Sequence, residues 1–218
     1  MRSRIPILLL GAVLSSCSVG RFHARQEVNW FRSGFYGGAM AGVASTGDSS
    51  ADLDRALAKR GYSTDSSLDD SDSAYNIYGG YRFESSFAVE LGYVNLGQTS
   101  STINATPPDL NLFLDDVADV HPVLGRGFQL CGRWFAVDRE RVNLSVSAGF
   151  WVWNADIDAQ AGTGEVSRSD RSGIDPTIGV AATLGLTDRL DLRAAWDRYY
   201  LDGDSADAFW LGVQWGVL

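Results

Sequence analysis

His23 and His121 are the only imidazoles in a sequence of 218 residues. Hydrolytic chemistry of the triad kind needs such a base beside a serine and an acid. Ser100, Ser101 and Asp119 are the partners available to His121, but no spacing singles them out; His23 lies near the N-terminal segment described below. Cys17 and Cys131 supply neither a disulfide framework nor a metal-ligand spacing. Asp48, Asp52, Asp54, Asp65, Asp69, Asp70 and Asp72 make one stretch acidic. Within it, Asp70-x-Asp72 reads either as a solvated loop or as a pair holding a divalent cation between phosphates. The remaining chemistry lies in charges set inside apolar runs: Glu90, Arg133, Asp191, Arg193 and Asp197. A charge taken out of water has to be paired and hydrogen-bonded, so these residues depend on the elements that hold them.

A formal net charge of −9 argues against nucleic acid as a partner, since such binding needs a basic surface. Glycine and aromatic residues are plentiful, and Lys59 is the only lysine. No cofactor or metal is expected.

The N-terminus reads as an export signal over residues 1–20. Met1-Arg2-Ser3-Arg4 is a basic start, and Ile5 to Leu14 is an apolar run too short to span a bilayer. Leu14-Ser15-Ser16-Cys17 resembles the lipobox of bacterial lipoproteins, in which the cysteine is lipidated. Ordinary cleavage after Ser18 or Gly20 is the alternative reading. Residues 21–33 form a polar connector, and no later segment offers eighteen consecutive apolar residues. A periplasmic protein or an outer-membrane barrel remains.

The last stretch decides between them. Phe209, Leu211, Val213, Trp215 and Val217 share one face at a period of two, with Gly212, Gln214 and Gly216 on the other. A soluble sheet usually sets Lys, Glu or Thr outward; here one face is greasy throughout and the other is glycine and amide. Lipid outside and a narrow, filled lumen inside produce that pattern. Seven further segments follow it, at Gly34 to Ser45, Tyr75 to Phe83, Phe87 to Leu96, Gly127 to Phe135, Val142 to Trp153, Pro176 to Leu186 and from Leu190. Their parity turns Glu90, Arg133, Arg193, Asp191 and Asp197 inward.

The expected fold is an all-β, eight-stranded antiparallel up-and-down transmembrane barrel over residues 34–218. Inserts at 46–73, 98–124 and 154–174 alternate with short turns, and a link over Asp202 to Asp207 precedes the last strand. Short periplasmic turns, long external loops and an even strand number are the marks of outer-membrane barrels. In the first insert Ala51 to Arg60 predicts a helix with Ser50 as N-cap and Gly61 as stop, followed by a loose tail over Asp65 to Ser73. Aromatic girdles are expected from Phe31, Phe83, Phe87, Trp134, Phe135 and Trp215 at the short-turn end. Tyr75, Trp196, Tyr199, Tyr200 and Phe209 would form the other.

Gly79-Gly80-Tyr81-Arg82-Phe83, Phe87 to Gly97, Gly127-Phe128-Gln129-Leu130, Gly149 to Asp156 and Leu211 to Trp215 together resemble the transmembrane domain of the OmpA family. The resemblance implies a lumenal ion-pair network in which Glu90 falls on the family's glutamate, Arg133 on a lysine and Arg193 on an arginine. Met40 stands where the family has a lysine and Thr183 where it has a second glutamate, so the network is reduced. The family's C-terminal peptidoglycan-binding domain is not expected, and Val217 stands where the family's insertion signal usually ends in an aromatic residue.

These observations imply an integral outer-membrane protein with a structural, envelope-integrity or surface-interaction role. Its lumen would be plugged by side chains, as expected where eight strands enclose a bore just wide enough to be filled. A small-ion channel gated by the lumenal ion pair is one alternative; a lipid A-modifying barrel enzyme using His121 and a soluble lipocalin-like barrel are others. The partners implied are outer-membrane lipid and lipopolysaccharide, with the barrel-assembly machinery during insertion, and a monomer is expected.

Overall fold

The computed structural model describes residues 33–216 apart from 85, 140 and 162–165. The export signal, Cys17, His23, Phe31 and Val217 lie outside the described residues. The strands are β1 (Gly34–Ser45), β2 (Asp65–Asp69), β3 (Ser71–Arg82), β4 (Phe87–Asn95), β5 (Ser100–Asn104), β6 (Arg126–Asp138), β7 (Val142–Ala161), β8 (Val166–Gly185), β9 (Leu190–Leu201) and β10 (Asp204–Gly216). Two helices, α1 (Ser50–Lys59) and α2 (Leu110–Val120), lie in the long inserts.

Eight of the strands close in the order β1-β3-β4-β6-β7-β8-β9-β10, each antiparallel to its neighbours. The seam joins β1 to β10 from Tyr36↔Gly216 to Ser45↔Asp207. Closure removes the edges whose unpaired N–H and C=O groups would each cost several kcal/mol in hydrocarbon. Among the described residues no helix is long and apolar enough to cross a membrane; the strands are the crossing elements.

Strand parity follows the sequence pattern. Phe209, Leu211, Val213 and Trp215 are exposed on the outer surface, and Gly212, Gln214 and Gly216 turn inward. Phe83, Phe87, Trp134, Tyr75, Tyr200 and Phe209 are exposed at the strand ends, where amphipathic rings meet headgroups. Two expected girdle members face the lumen instead: Tyr199 is fully buried, and Phe135 packs against the interior cluster with the Arg82 guanidinium 4.0 Å from its ring centre.

The inserts are more ordered than their composition suggests. The N-cap of α1 is Ser49 rather than Ser50, because Asp52 accepts from the Ser49 backbone N–H and hydroxyl at 3.2 and 2.6 Å, closing a capping box. Its stop is as expected: Gly61 adopts φ +94 and donates to the Ala58 carbonyl. The tail read as loose pairs as β2 with β5. The outward N–H groups of β2 are occupied by α1, since Ser66 donates to Asp54 and Leu68 to Ser50, so this edge is not bare. Leu53 and Leu57 of α1 pack against Ile103, Phe113, Leu114 and Val117. The result is a small apolar core outside the barrel.

The third insert is largely absent as a loop, because β7 and β8 stay paired from Val142↔Leu184 to Gln160↔Val166. Beyond the membrane a hairpin needs cross-strand hydrogen bonds but no apolar face, so its polar sequence imitates a loop. The last link shrinks to Asp202-Gly203, with φ 48 and 98. Two positive φ values in succession mark the type I′ turn that matches strand twist.

Candidate functional site

Glu90 of β4 points inward and is 5% exposed. Arg133 of β6 reaches it with Nη2 at 2.7 Å, and Arg193 of β9 with Nη1 at 2.8 Å and Nη2 at 3.2 Å. The Tyr36 hydroxyl donates to the same carboxylate at 2.8 Å. Arg133 also donates to Ser145 Oγ at 2.9 Å, and the Arg193 guanidinium lies 4.5 Å from the centre of the Tyr78 ring. Residues of five strands thus converge on one carboxylate or its two cations. Charge-assisted bonds are the strongest kind, and here two cations share a single acceptor. Among the described residues Arg133 Nε and Arg193 Nε are buried without a hydrogen-bond partner.

The three residues singled out by the family resemblance therefore meet. Met40 and Thr183 are both buried in the interior, and Thr183 stands beside Arg193 across β8 and β9. Asp197, also buried, stands on the same inner face of β9 two inward positions beyond Arg193. It was legible as an inward acid but not as a neighbour of the cluster. Cys131 is a buried free thiol, accepting from Gln129 Nε2 at 2.8 Å.

Toward the long-insert end the lumen changes character. Trp151 and Trp153 stack at 5.9 Å between ring centres, and Tyr199 meets Trp151 at 4.9 Å. Each polar tip is satisfied: Trp151 Nε1 by the Tyr200 carbonyl, Trp153 Nε1 by Asp175, and the Tyr199 hydroxyl by Gln129. Val123 and Leu124, from the segment after α2, bury themselves in the same cluster with Leu201 and Trp210. A lumen of glycines, amides and charges was expected. Strand parity already put Trp151 and Trp153 on the inner face; composition alone hid them.

His121 closes this segment. Its Nδ1 lies 2.8 Å from the Pro122 carbonyl and its Nε2 2.8 Å from Ser101 Oγ. Burial is the main cause holding its pKa below the ordinary imidazole value, with the Arg171 charge adding to it. Asp119 is not the third member of a triad, because its exposed carboxylate bonds Arg60 at 3.2 Å. Ser100 sits on the other face of β5 from Ser101.

The carboxylates of Asp70 and Asp72 are used locally. Asp70 accepts from Ser45 Oγ and Gly47 N, and Asp72 from Ser73 N and Gln98 N. These bonds hold the Asp72 carboxyl below its ordinary range, with the Gln98 N–H contributing most. Among the described residues no group of three or more His, Cys, Asp or Glu is placed to hold a metal ion.

Residues 9–216 match the family described as outer membrane protein beta-barrel domain. Among solved structures, neisserial surface protein A superposes with a TM-score of 0.51 at 14% identity, over 84% of this chain and 97% of that one. The N-terminal β-barrel domain of OprF from Pseudomonas aeruginosa gives 0.50 at 15% identity, over 85% and 100%. Likeness at such identity is likeness of fold. No curated protein matches the sequence.

Proposed function

The chain belongs to the outer membrane protein beta-barrel family and lies in the outer membrane, and from that premise we propose a structural envelope role, with a lumen plugged by its own side chains. The observation that carries this reading is the filled bore. Glu90 is clasped by two arginines in one half, and Trp151 and Tyr199 are fully buried in the other. Eight strands leave room for little else. The external core of α1, α2 and β5 is the part available for surface contacts, with lipopolysaccharide the nearest partner. In this reading residues 1–20 are the export signal and 21–33 a connector, Cys17 is the residue that lipidation would modify, and residues 34–218 insert as a monomer through the barrel-assembly machinery. In this reading the role is not enzymatic: among the described residues Ser101 and His121 bond each other and the Pro122 carbonyl, and they belong to the external cap rather than a lipid-facing cleft.

Planar-bilayer recording of the purified barrel tests the plug. Wild type and Arg193→Ala should both give no unitary currents, because the aromatic half closes the lumen independently of the ion pairs. Currents in the wild type would overturn the plug. Currents in Arg193→Ala alone would make the ion pair a gate for small ions, the reading favoured by the unpartnered Nε atoms of Arg133 and Arg193.

A further inference from the structure

Four neighbouring strands carry outward polar residues in one register, Tyr75↔Asn95, Asn95↔Arg126 and Arg126↔Asn154. The row below is Ile77, Tyr93, Phe128 and Val152 in the same register. Two residues separate the rows, about 7 Å at strand rise. On each of these strands the upper residue is thus the first polar outward position beyond the apolar belt at the external end, where strands of this kind meet the headgroups of the outer leaflet.

A cavity of about 310 Å³ opens at this level, and its walls include the whole row together with Asp72 and Gln98. It has a topological cause. Strand β6 begins at Arg126, opposite Asn154, and β5 joins β7 only from Gln160 onward, at Thr102↔Gln160 and Ile103↔Ala161. Among the described residues β7 therefore has no strand partner on that side over 155–159, and the wall is notched.

We propose that this notch is a saccharide-binding site for a sugar ring of a glycan anchored in the outer leaflet. Asn95, Asn154 and Gln98 offer amides that both donate and accept, Asp72 accepts, Arg126 donates, and Tyr75 adds a hydroxyl and a ring face. Vicinal sugar hydroxyls donate and accept in the same alternation, and the C–H face of a pyranose stacks on an aromatic ring. Among the described lining residues one cation, Arg126, stands with one carboxylate, Asp72. That suits a neutral ring better than phosphate, which arginine clusters recognise. The volume sits at the small end of ligand pockets, enough for one ring. The walls are already fixed: Asn95 Oδ1 accepts from Gly97 N at 2.8 Å, Asp72 Oδ2 from Gln98 N at 3.0 Å, and Asn95 Nδ2 reaches Tyr75 Oη at 3.5 Å. Because the row faces sideways from the barrel at leaflet height, the glycan is one attached to a lipid. This inference rests on the outer-membrane placement and not on the lumenal plug.

The test uses the full barrel in nanodiscs, with binding followed by side-chain amide NMR or calorimetry. Lipopolysaccharide should bind, and an anionic phospholipid that carries no sugar should bind at least tenfold more weakly. Asn154→Ala and Tyr75→Phe should each weaken binding by up to about tenfold, the loss of one hydrogen bond. Tyr200→Ala, at similar height on β9, should leave it unchanged. Heat-modifiable gel mobility verifies that every variant is a folded barrel; should Asn154→Ala fail to fold, Tyr75→Phe decides. Equal binding of the sugar-free phospholipid, or displacement by millimolar inorganic phosphate, would overturn the sugar assignment. Free core oligosaccharide binding as tightly as the anchored form would overturn the lipid-borne source. Failure of the barrel to enter the nanodisc at all would instead strike the outer-membrane reading.

Discussion

Removing the Glu90 carboxylate is the most informative single change. Glu90→Ala deletes the acceptor of four hydrogen bonds, three of them from the guanidinium groups of Arg133 and Arg193, in a site 5% exposed. Both cations stay behind, each about 3% exposed and locked by strand geometry. Breaking a buried pair by deleting one partner costs about 3–5 kcal/mol, a large part of a total stability of about 5–15 kcal/mol. With an m-value of about 2 kcal/mol/M, the urea midpoint should fall by roughly 2 M. Tryptophan fluorescence during urea unfolding of the lipid-refolded barrel reads this directly, with gel mobility as a second probe. Glu90→Ala/Arg193→Ala should be less damaged than the sum of its single changes, by about 1–3 kcal/mol, because one stranded charge is removed. A Glu90→Ala loss below about 1 kcal/mol, with additive doubles, would mean that water screens the cluster as it screens surface pairs. The low-dielectric lumen would then be wrong.

Three further outcomes are expected. In Gly127→Ala the new Cβ would collide with the Val152 carbonyl oxygen; backbone must move, and a midpoint loss equivalent to about 1–3 kcal/mol should follow in the same urea assay. Gly203→Ala, at φ +98 in the β9–β10 turn, should be strained and cost about 1 kcal/mol or more, whereas Gly203→Asn should be milder because Asn tolerates positive φ. His121 has a lowered pKa through burial, so the unfolded segment binds a proton before the folded one. Local stability is therefore full above the ordinary imidazole value of about 6.5 and declines as pH falls below it toward the lowered folded value. Hydrogen-exchange protection factors of residues 96–125, corrected for the intrinsic pH dependence of amide exchange, should fall as pH drops from 7.5 to 5, and His121→Gln should remove most of that dependence.

Much of the barrel was legible because lipid imposes one rule on every spanning strand. Phe35, Ile77, Leu91, Leu130, Val146, Val180 and Leu211 face outward by parity alone, and Glu90, Arg133 and Arg193 inward by the same count. Outside the membrane that rule lapses. The segment from Leu110 to Val120 forms a helix whose Phe113, Leu114 and Val117 have a core to enter only because α1 and β5 bring Leu53, Leu57 and Ile103 to it. Nothing local announces that pairing. The extended part of the β7–β8 hairpin was hidden for the opposite reason, since its backbone bonds make no demand on side-chain polarity. Tyr199 and Phe135 were misplaced because a girdle and a lumenal plug draw on the same residue types at the same strand ends; only parity separates them.

The external domain and the barrel are tied at three points of different chemistry, and this bears on what the surface can do. Backbone pairing joins β5 to β7 at Thr102↔Gln160 and Ile103↔Ala161. Arg171 of β8 donates to the Ala118 and Asp119 carbonyls, both at 2.6 Å, capping the end of α2 where orphan carbonyls collect. Val123 and Leu124 enter the aromatic cluster of the lumen, held by Thr99 Oγ1 on the Pro122 carbonyl at 2.6 Å. A loop tied once can swing; one tied by sheet, helix end and core is fixed relative to the barrel. Recognition by such a surface loses little conformational entropy, which is the physical gain from folding an insert of this length instead of leaving it solvated. The same three ties make the lumenal cap part of the external domain, so loosening His121 should loosen both together.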